Sequence, residues 1–486
     1  MANPEHLRLL SSPDWQRWRA DNPRIAPDLT DADLAGADLH GKDLSRAVLT
    51  RGNLRGANLS GANLTGAKVT GAQMGDAVLD GATCVGVHFD LLELRGCTFR
   101  GAIFNDASFR GSDMLKCELQ GAKMPQVNLE GAMLEGANMS GVDLTGATLR
   151  GARLLGAKLT AAKLSGAVIE NVDFTGNDLA GADLDGVYGL RCQLSGANLA
   201  GATLRKANLR ESDLLRANLA GADLESAELG HCILVGANLE NARLVNCDAQ
   251  AADLREANIV NTVMDGVQLA GAQLAGLDFR QPKLGRVSMV RANLTGAVFA
   301  KLPLRNWRLE QTRLDGADLR DTDLENANLE GAKASGVLLR GARLRQANLA
   351  QSALTNSDLS GCDLILANLQ EADFTGSDLR FAKLVGANCD GACFRWADLR
   401  NADLKKASLR GARFLHARIG KAKLPIAKLY WKVWAALATL WEAKQRKQQE
   451  LRQREEQRRI RDTVKLVREM DEKDPRLRRR GSPRQT

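Results

Sequence analysis

The chain has 486 residues, of which 26% are charged, 44% are hydrophobic and only 4% are aromatic. No apolar run approaches the ~20 residues that span a bilayer. The amino terminus also lacks the basic start and apolar stretch of a secretory signal. Composition therefore argues against a membrane-spanning or secreted protein, and we expect a cytoplasmic location.

The formal net charge of +9 is confined to the carboxyl-terminal part of the chain. Residues 425–486 contain 18 Lys or Arg and 9 Asp or Glu, whereas residues 1–424 contain 49 of each. The sequence thus divides into an electroneutral body and a basic tail.

The first segment, residues 1–28, is predicted to be a helical cap and lead-in. Residues 4–20 have a helical pattern, with Ser12 as the capping residue. Trp15 and Trp18 lie about one helical turn apart and suit covering the open apolar end of the fold that follows. An aromatic ligand site is the alternative interpretation.

Residues 29–424 repeat with a period of five. A large apolar residue, usually Leu, recurs at positions ending in 4 or 9, a small residue precedes it by two, Asp or Asn often lies between them, and Gly often follows by two. This register holds for 80 pentapeptides without insertion or deletion. A period of five fits neither a helix nor a strand. It predicts a solenoid in which each pentapeptide forms one side of a four-sided coil, with Leu and the small residue inside.

The repeat motif A-[DN]-L-x-x is seen in ADLAGADL (32–39), ANLSGANLTGA (57–67) and ANLEGAKASG (327–336). It resembles the pentapeptide repeat protein family over about four-fifths of the chain. The resemblance implies an all-β solenoid, a right-handed quadrilateral parallel β-helix, and a bacterial origin. About 20 coils stacked at the sheet spacing of ~4.8 Å give a rod roughly 95 Å long.

The nine cysteines follow the same register. Two replace the central Leu and six occupy the small inward position, so that only Cys393 falls on an outward position. No C-x-x-C pair exists. We expect neither a zinc site nor a disulfide framework, and no other metal or cofactor.

Several positions depart from the repeat. Gly189, Ala249 and Ala334 replace the central Leu, which predicts thin spots in the core. Large residues fill several small positions between 277 and 307, and Trp307 is the bulkiest of them. We therefore predict a bulge or bend near residues 300–309.

Catalytic signatures are absent from the sequence. There is no phosphate-binding loop, no H-E-x-x-H and no G-x-S-x-G. A rod without loops offers no concave cavity for a substrate. We predict that the protein is not an enzyme. One of the histidines, His416, is predicted to lie one coil beyond an aromatic residue, Trp396. This pair is either a small recognition spot or an incidental contact.

Residues twenty apart stack on one side of the predicted solenoid, which allows a search for surface patches. Ile365 and Val385 stack on one side, with Leu366 and Phe381 at its two flanking corners. Exposed apolar patches mark docking sites. The alternative is that the carboxyl-terminal tail folds back over this patch.

Residues 425–474 are predicted to form a helix, first a capping segment and then a charged extension. The first part, LYWKVWAALATLW, carries Trp431, Trp434 and Trp441 and is too short to cross a membrane. It suits capping the last coil, lying at a membrane interface, or pairing with a second copy of the chain.

Residues 475–486 are predicted to be a disordered basic tail. Arg478, Arg479 and Arg480 lie in the run RLRRRGSPR. Such a tail is either simply solvated or binds phosphates and anionic lipids.

Three functions remain open. The first is a non-catalytic scaffold that binds a protein partner along the rod and attaches to a partner or an anionic surface through the tail. The second is implied by the resemblance alone: a mimic of DNA acting on a type II topoisomerase, which the neutral rod disfavours. The third is nucleic-acid binding by the basic tail.

Overall fold

The computed structural model describes residues 1–425, 448–449 and 453–458. Helix α1 spans Pro4–Leu10 and helix α2 spans Trp15–Asp21. The helical pattern predicted across residues 4–20 therefore corresponds to two helices, and the N-cap residue of the second is Asp14 instead of the predicted Ser12. Pro13 lies at the break, where its missing N–H and its restriction of the preceding residue oppose a continuous helix.

Helix α2 lies against the first coil of the solenoid. Trp15 is fully buried, and its indole Nε1 donates to the carbonyl of Asp43 at 3.0 Å. Arg19 is only 2% exposed and donates to the carbonyl oxygens of Ile25 (2.7 Å) and Ser45 (3.1 Å). The buried guanidinium thereby satisfies backbone acceptors that the first coil leaves unpaired.

The repeated region winds with twenty residues in each turn of the solenoid. In most pentapeptides the N–H at the Leu position donates to a carbonyl nineteen residues later, as from Leu54 to Gln73 at 2.7 Å. The residue before most Leu positions forms a parallel bridge to the residue twenty positions on; the first and last bridges join Asp28 to Val48 and Asp403 to Lys423. Each side contributes a single bridging residue, which is why extended strands are scarce.

Most corners are tight turns. The N–H of the residue three after Leu closes such a turn, as from Ala57 to Leu54 at 3.0 Å. The residue two after Leu has positive φ, such as 63° at Gly56. These are features of a type II turn, whose third position favours glycine.

Asp or Asn before Leu stabilises both the corner and the stack. The Oδ1 of Asn218 accepts the N–H of Ala220 at 3.2 Å, and its Nδ2 donates to Oδ1 of Asn198 at 3.0 Å. The same ladder continues through Asn238 and Asn258. These polar rows are surface hydrogen-bonding networks.

The core is one column of inward Leu and small residues. The predicted thin spot at Gly189 is filled, because a Cβ there would lie within 3.0 Å of the side chains of Ile169 and Leu209. All nine cysteines are free and buried. Cys393 is buried although its position faces outward, and its Sγ lies 3.3 Å from Oγ1 of Thr375.

The main irregularity lies before the predicted position of 300–309. Strand β1, Val263–Met264, pairs in parallel with strand β2, Lys283–Leu284. Pro282 occupies the position whose N–H normally closes the corner turn, so this turn cannot form. Trp307, by contrast, is buried in the column and leaves its corner closed, with its N–H donating to Leu304 at 3.3 Å.

Residues 448–449 and 453–458 are helical and exposed. The remainder of the predicted carboxyl-terminal helix and the basic tail lie outside the described residues, so these predictions remain predictions. In the part of the chain that the structure describes, no helix has the length and apolar character needed to traverse a bilayer.

The buried thiols predict low reactivity. Burial raises the pKa of four of them to about 12: Cys97, Cys192, Cys232 and Cys389. Since the thiolate is the reactive form, we expect the native protein to react slowly with a disulfide reagent at pH 8. Unfolding in guanidinium should expose all nine thiols. Rapid reaction of several thiols in the native state would contradict this packing.

The amino-terminal cap gives a second prediction. Trp15→Ala should destabilise the first coil by about 3–5 kcal/mol, because it removes a fully buried aromatic side chain. The measurement is hydrogen exchange, which should accelerate at backbone amides near Leu29 and Leu34. Trp18→Ala is the matched control, because Trp18 is only partly buried, and should have a smaller effect. Equal effects of the two variants would contradict the cap.

Candidate interaction surface at the carboxyl end of the rod

The structure places four predicted apolar residues together in a region that we call the apolar patch: Ile365, Leu366, Phe381 and Val385. Leu366 and Phe381 are 57% and 61% exposed, while Ile365 and Val385 are half-buried. The N–H of Leu366 donates to the carbonyl of Val385 at 3.0 Å. The Leu366 side chain lies over Gly386, where an added Cβ would come within 2.8 Å of its Cδ2. The patch therefore spans two adjacent coils.

Two of these side chains stand at corner positions that glycine normally occupies. The φ angles of Leu366, Phe381 and Trp396 are 58°, 62° and 60°. Among the described residues, the only other Leu, Ile, Val, Met, Phe or Trp with a positive φ is Leu91. A left-handed backbone costs a non-glycine residue about 1–2 kcal/mol. Exposed apolar side chains do not recover that cost by burial, so their clustering here points to a function outside folding.

Trp396 and His416 form a stacked aromatic pair, as their spacing of twenty residues suggested. Their ring centroids are 4.0 Å apart with an interplanar angle of 24°. Trp396 is 54% exposed and His416 is also exposed. The pair offers a polarisable surface at the corner that precedes the Phe381 corner around the rod.

Paired charges occupy the side between these two corners. Arg400 donates from Nε and Nη2 to Asp398, and Arg380 does the same to Asp378 one coil earlier, with Nη2–Oδ2 distances of 2.6 Å. The hydrogen bonds from Arg400 hold the pKa of Asp398 below its usual value. This side therefore carries locked ion pairs rather than free charge.

The Asp398–Arg400 pair predicts a small, pH-dependent contribution to stability. The folded carboxyl has a lowered pKa, so the contribution is present above the unfolded pKa of about 3.9 and is lost as pH falls through the folded pKa. We expect Arg400→Gln to reduce the free energy of unfolding at pH 7 by at most ~1 kcal/mol, since the pair is at the surface. Denaturant midpoints against pH provide the measurement.

The control for this prediction is Arg410→Gln, since Arg410 is exposed and makes no ion pair with any described residue. That variant should show no such loss at pH 7. A deficit in Arg400→Gln that persists undiminished under strongly acidic conditions would exclude the ion pair as its cause.

The last coil carries a charge that the neutral total of residues 1–424 conceals. Residues 405–424 contain seven Lys or Arg and no Asp or Glu, whereas residues 1–404 have a net charge of −7. The rod is neutral overall but polarised at its carboxyl end. A charge count for each coil, instead of for the whole rod, is the signal in the sequence that identifies this end.

An open groove of about 680 Å³ corrects the expectation that the rod has no concavity. It lies where the bridge between Gln73 and Glu93 is missing, and Leu92 occupies a small inward position nearby. A bulky residue at that position separates neighbouring coils. The charged lining is partly paired, with Arg55 3.8 Å from Glu93.

The remaining predicted site residues lie outside the described residues: Trp431, Trp434, Trp441, Arg478, Arg479 and Arg480. Within the described part of the chain, no group of three His, Cys, Asp or Glu side chains is placed to hold a metal ion.

The family described as "Pentapeptide repeats" matches most of the chain: residues 28–91, 93–188, 192–230, 232–271 and 304–425. The longest unmatched stretch inside the rod, 272–303, contains β2 and Pro282. Proteins of this type fold as right-handed quadrilateral β-helices, in agreement with the twenty-residue bridging pattern.

Solved structures of such proteins are similar to this chain. HetL, from the cyanobacterium Nostoc sp. strain PCC 7120 and involved in heterocyst differentiation regulation, is 27% identical over 53% of this chain and 90% of its own, with a TM-score of 0.16. Full-length QnrB1, a plasmid-mediated fluoroquinolone resistance protein, is 20% identical over 57% and 95%, with a TM-score of 0.17. Rfr23 from the cyanobacterium Cyanothece 51142 is 20% identical over 32% and 90%, with a TM-score of 0.12. No curated protein matches the chain.

Proposed function

Because this chain belongs to the pentapeptide repeat family, we propose that it is a non-catalytic binding scaffold: a rigid rod of about 20 coils that presents an interaction surface near its carboxyl end. Members of the family are generally structural or binding proteins rather than enzymes. A protein partner is the ligand class that the exposed apolar side chains favour.

The observation that carries this proposal is the apolar patch. Leu366 and Phe381 are large, exposed and held in a left-handed backbone that contributes nothing to the core. Aromatic and aliphatic anchors of this kind supply most of the binding energy in protein interfaces. The locked ion pairs beside them, such as Asp398–Arg400, suit a polar rim.

A DNA mimic is less well supported by the charge distribution. Duplex DNA carries one negative charge per ~1.7 Å, so a DNA mimic in the form of a rod roughly 95 Å long would display about 55 negative charges. Residues 1–404 have a net charge of only −7. One polar row, which contains Asn198, Asn218, Asn238 and Asn258, is neutral.

The remaining parts of the chain complete the proposal. We propose that residues 425–474 form a helix that caps the last coil or pairs with a second copy of the chain. The basic tail, including Arg478, would attach the rod to a partner, a nucleic acid or an anionic membrane surface. A cytoplasmic location is consistent with nine free, buried thiols, since reducing compartments preserve them.

The test is capture of partners from a nuclease-treated lysate with full-length protein and a Leu366→Ser, Phe381→Ser variant. Both residues are exposed, so the variant should fold normally, yet lose proteins that the unchanged chain retains. Light scattering on the same samples distinguishes a second copy of the chain as the partner, because the mass would then fall in the variant.

The matched control replaces exposed apolar residues elsewhere on the rod, with Leu155→Ser and Ile233→Ser. It should retain every partner. Partners that survive the patch variant, or that are lost equally from the control, would refute the assignment of the binding surface to the apolar patch.

A further inference from the structure

The last coil differs from every other coil in its charge. It has no acidic residue. Its seven basic residues are all exposed: Lys405, Lys406, Arg410, Arg413, Arg418, Lys421 and Lys423. No other coil in the same register exceeds a net charge of +4. Folding does not require this concentration of cations, since like charges repel one another.

Most of these cations lack a carboxylate partner. Asp398 is the bridging neighbour of Arg418, but Arg400 already occupies both of its oxygens. Lys423 lies 3.7 Å from Asp403. The other six make no ion pair with any residue that the structure describes. Their charge is therefore available to an external anion.

The basic side chains follow the perimeter of the coil. Arg413, Arg418 and Lys423 occupy the bridging position on three successive sides. The corner between Arg413 and Arg418 carries the exposed stack of His416 on Trp396. An aromatic surface is thus flanked by a cation on each side.

This arrangement favours a flexible polyanion over a flat anionic surface. A flat bilayer alongside the rod can contact one side of a four-sided coil. The last coil is followed in the sequence by a further 61 residues after Pro425. A flexible strand can instead bend around the corner, placing phosphates near Arg413 and Arg418. Bases that leave the strand stack on exposed aromatic side chains.

We propose that the last coil binds single-stranded nucleic acid, with Arg413, Arg418 and Lys421 contacting phosphates and the Trp396–His416 pair stacking against a base. This inference rests on the proposed scaffold function, to which it adds a ligand class and a place on the rod. It is separate from binding by the tail, because it assigns the contacts to the folded coil.

The experiment measures binding of full-length protein to a fluorescent oligothymidylate of about 20 nucleotides over a range of salt concentrations. Arg413→Glu with Arg418→Glu should weaken binding at least tenfold. It should also lower the slope of log affinity against log salt by about 1.4, because each lost phosphate contact on a single strand contributes about 0.7. Trp396→Ala should weaken binding about tenfold with the slope unchanged, since stacking releases no counterions.

Lys158→Glu with Lys163→Glu is the matched control, because it makes the same change in net charge at exposed residues in the middle of the rod. It should leave binding nearly unchanged, and circular dichroism should show all variants folded. Equal weakening by this control would overturn the proposal. Binding that is abolished by Arg478→Ala, Arg479→Ala and Arg480→Ala but unaffected by the coil variants would also overturn it, as would binding only to phosphatidylserine vesicles.

The result is distinguishable from a failure of the scaffold function. Partner capture uses nuclease-treated lysate and depends on Leu366 and Phe381, whereas oligonucleotide binding uses purified protein and depends on Arg413 and Arg418. Loss of oligonucleotide binding alone would refute this inference and leave the scaffold function standing.

Discussion

The left-handed backbone at every fifth residue is the constraint on which the structure depends. It lets the chain turn a corner after each Leu, and the N–H three residues after Leu closes that turn, as at Gly56 and Ala57. Four such corners return the chain above its start after twenty residues, which permits the parallel bridges. Side chains at equivalent positions are therefore stacked, and each surface row consists of residues that lie twenty apart in the sequence.

The period of five was sufficient to predict the coil, the inward positions and the stacking of Trp396 on His416. It was insufficient to locate the irregular coil. The repeat register identifies a bulky residue such as Trp307, but not whether the backbone can adjust around it. The irregularity instead follows Pro282, where the missing donor is a backbone property. At Gly189 the repeat register predicted a thin spot in the core, but neighbouring side chains fill that space.

The apolar patch was predictable because stacked positions bring Ile365 and Val385 together regardless of coil detail. The groove beside Glu93 was not, since it arises where neighbouring coils separate and no register position records that distance. The basic last coil was concealed for a different reason. Summing charge over residues 1–424 combines the basic residues 405–424 with the excess acidic residues of earlier coils, so the total is zero and the polarity of the rod is hidden.

A uniform repeat is stable without distinguishing one coil from another, so departures that oppose folding indicate where selection acts on something else. Leu366, Phe381 and Trp396 each place an exposed apolar side chain on a left-handed backbone, at about 1–2 kcal/mol apiece. The unpaired cations of residues 405–424 add mutual repulsion a short distance further along the axis. Among the described residues, three of the four exposed apolar corners and the whole basic coil fall within the last three coils; the fourth such corner is Leu91. We therefore propose that the rod holds one specialised end, which combines an apolar surface suited to protein with a basic perimeter suited to a polyanion.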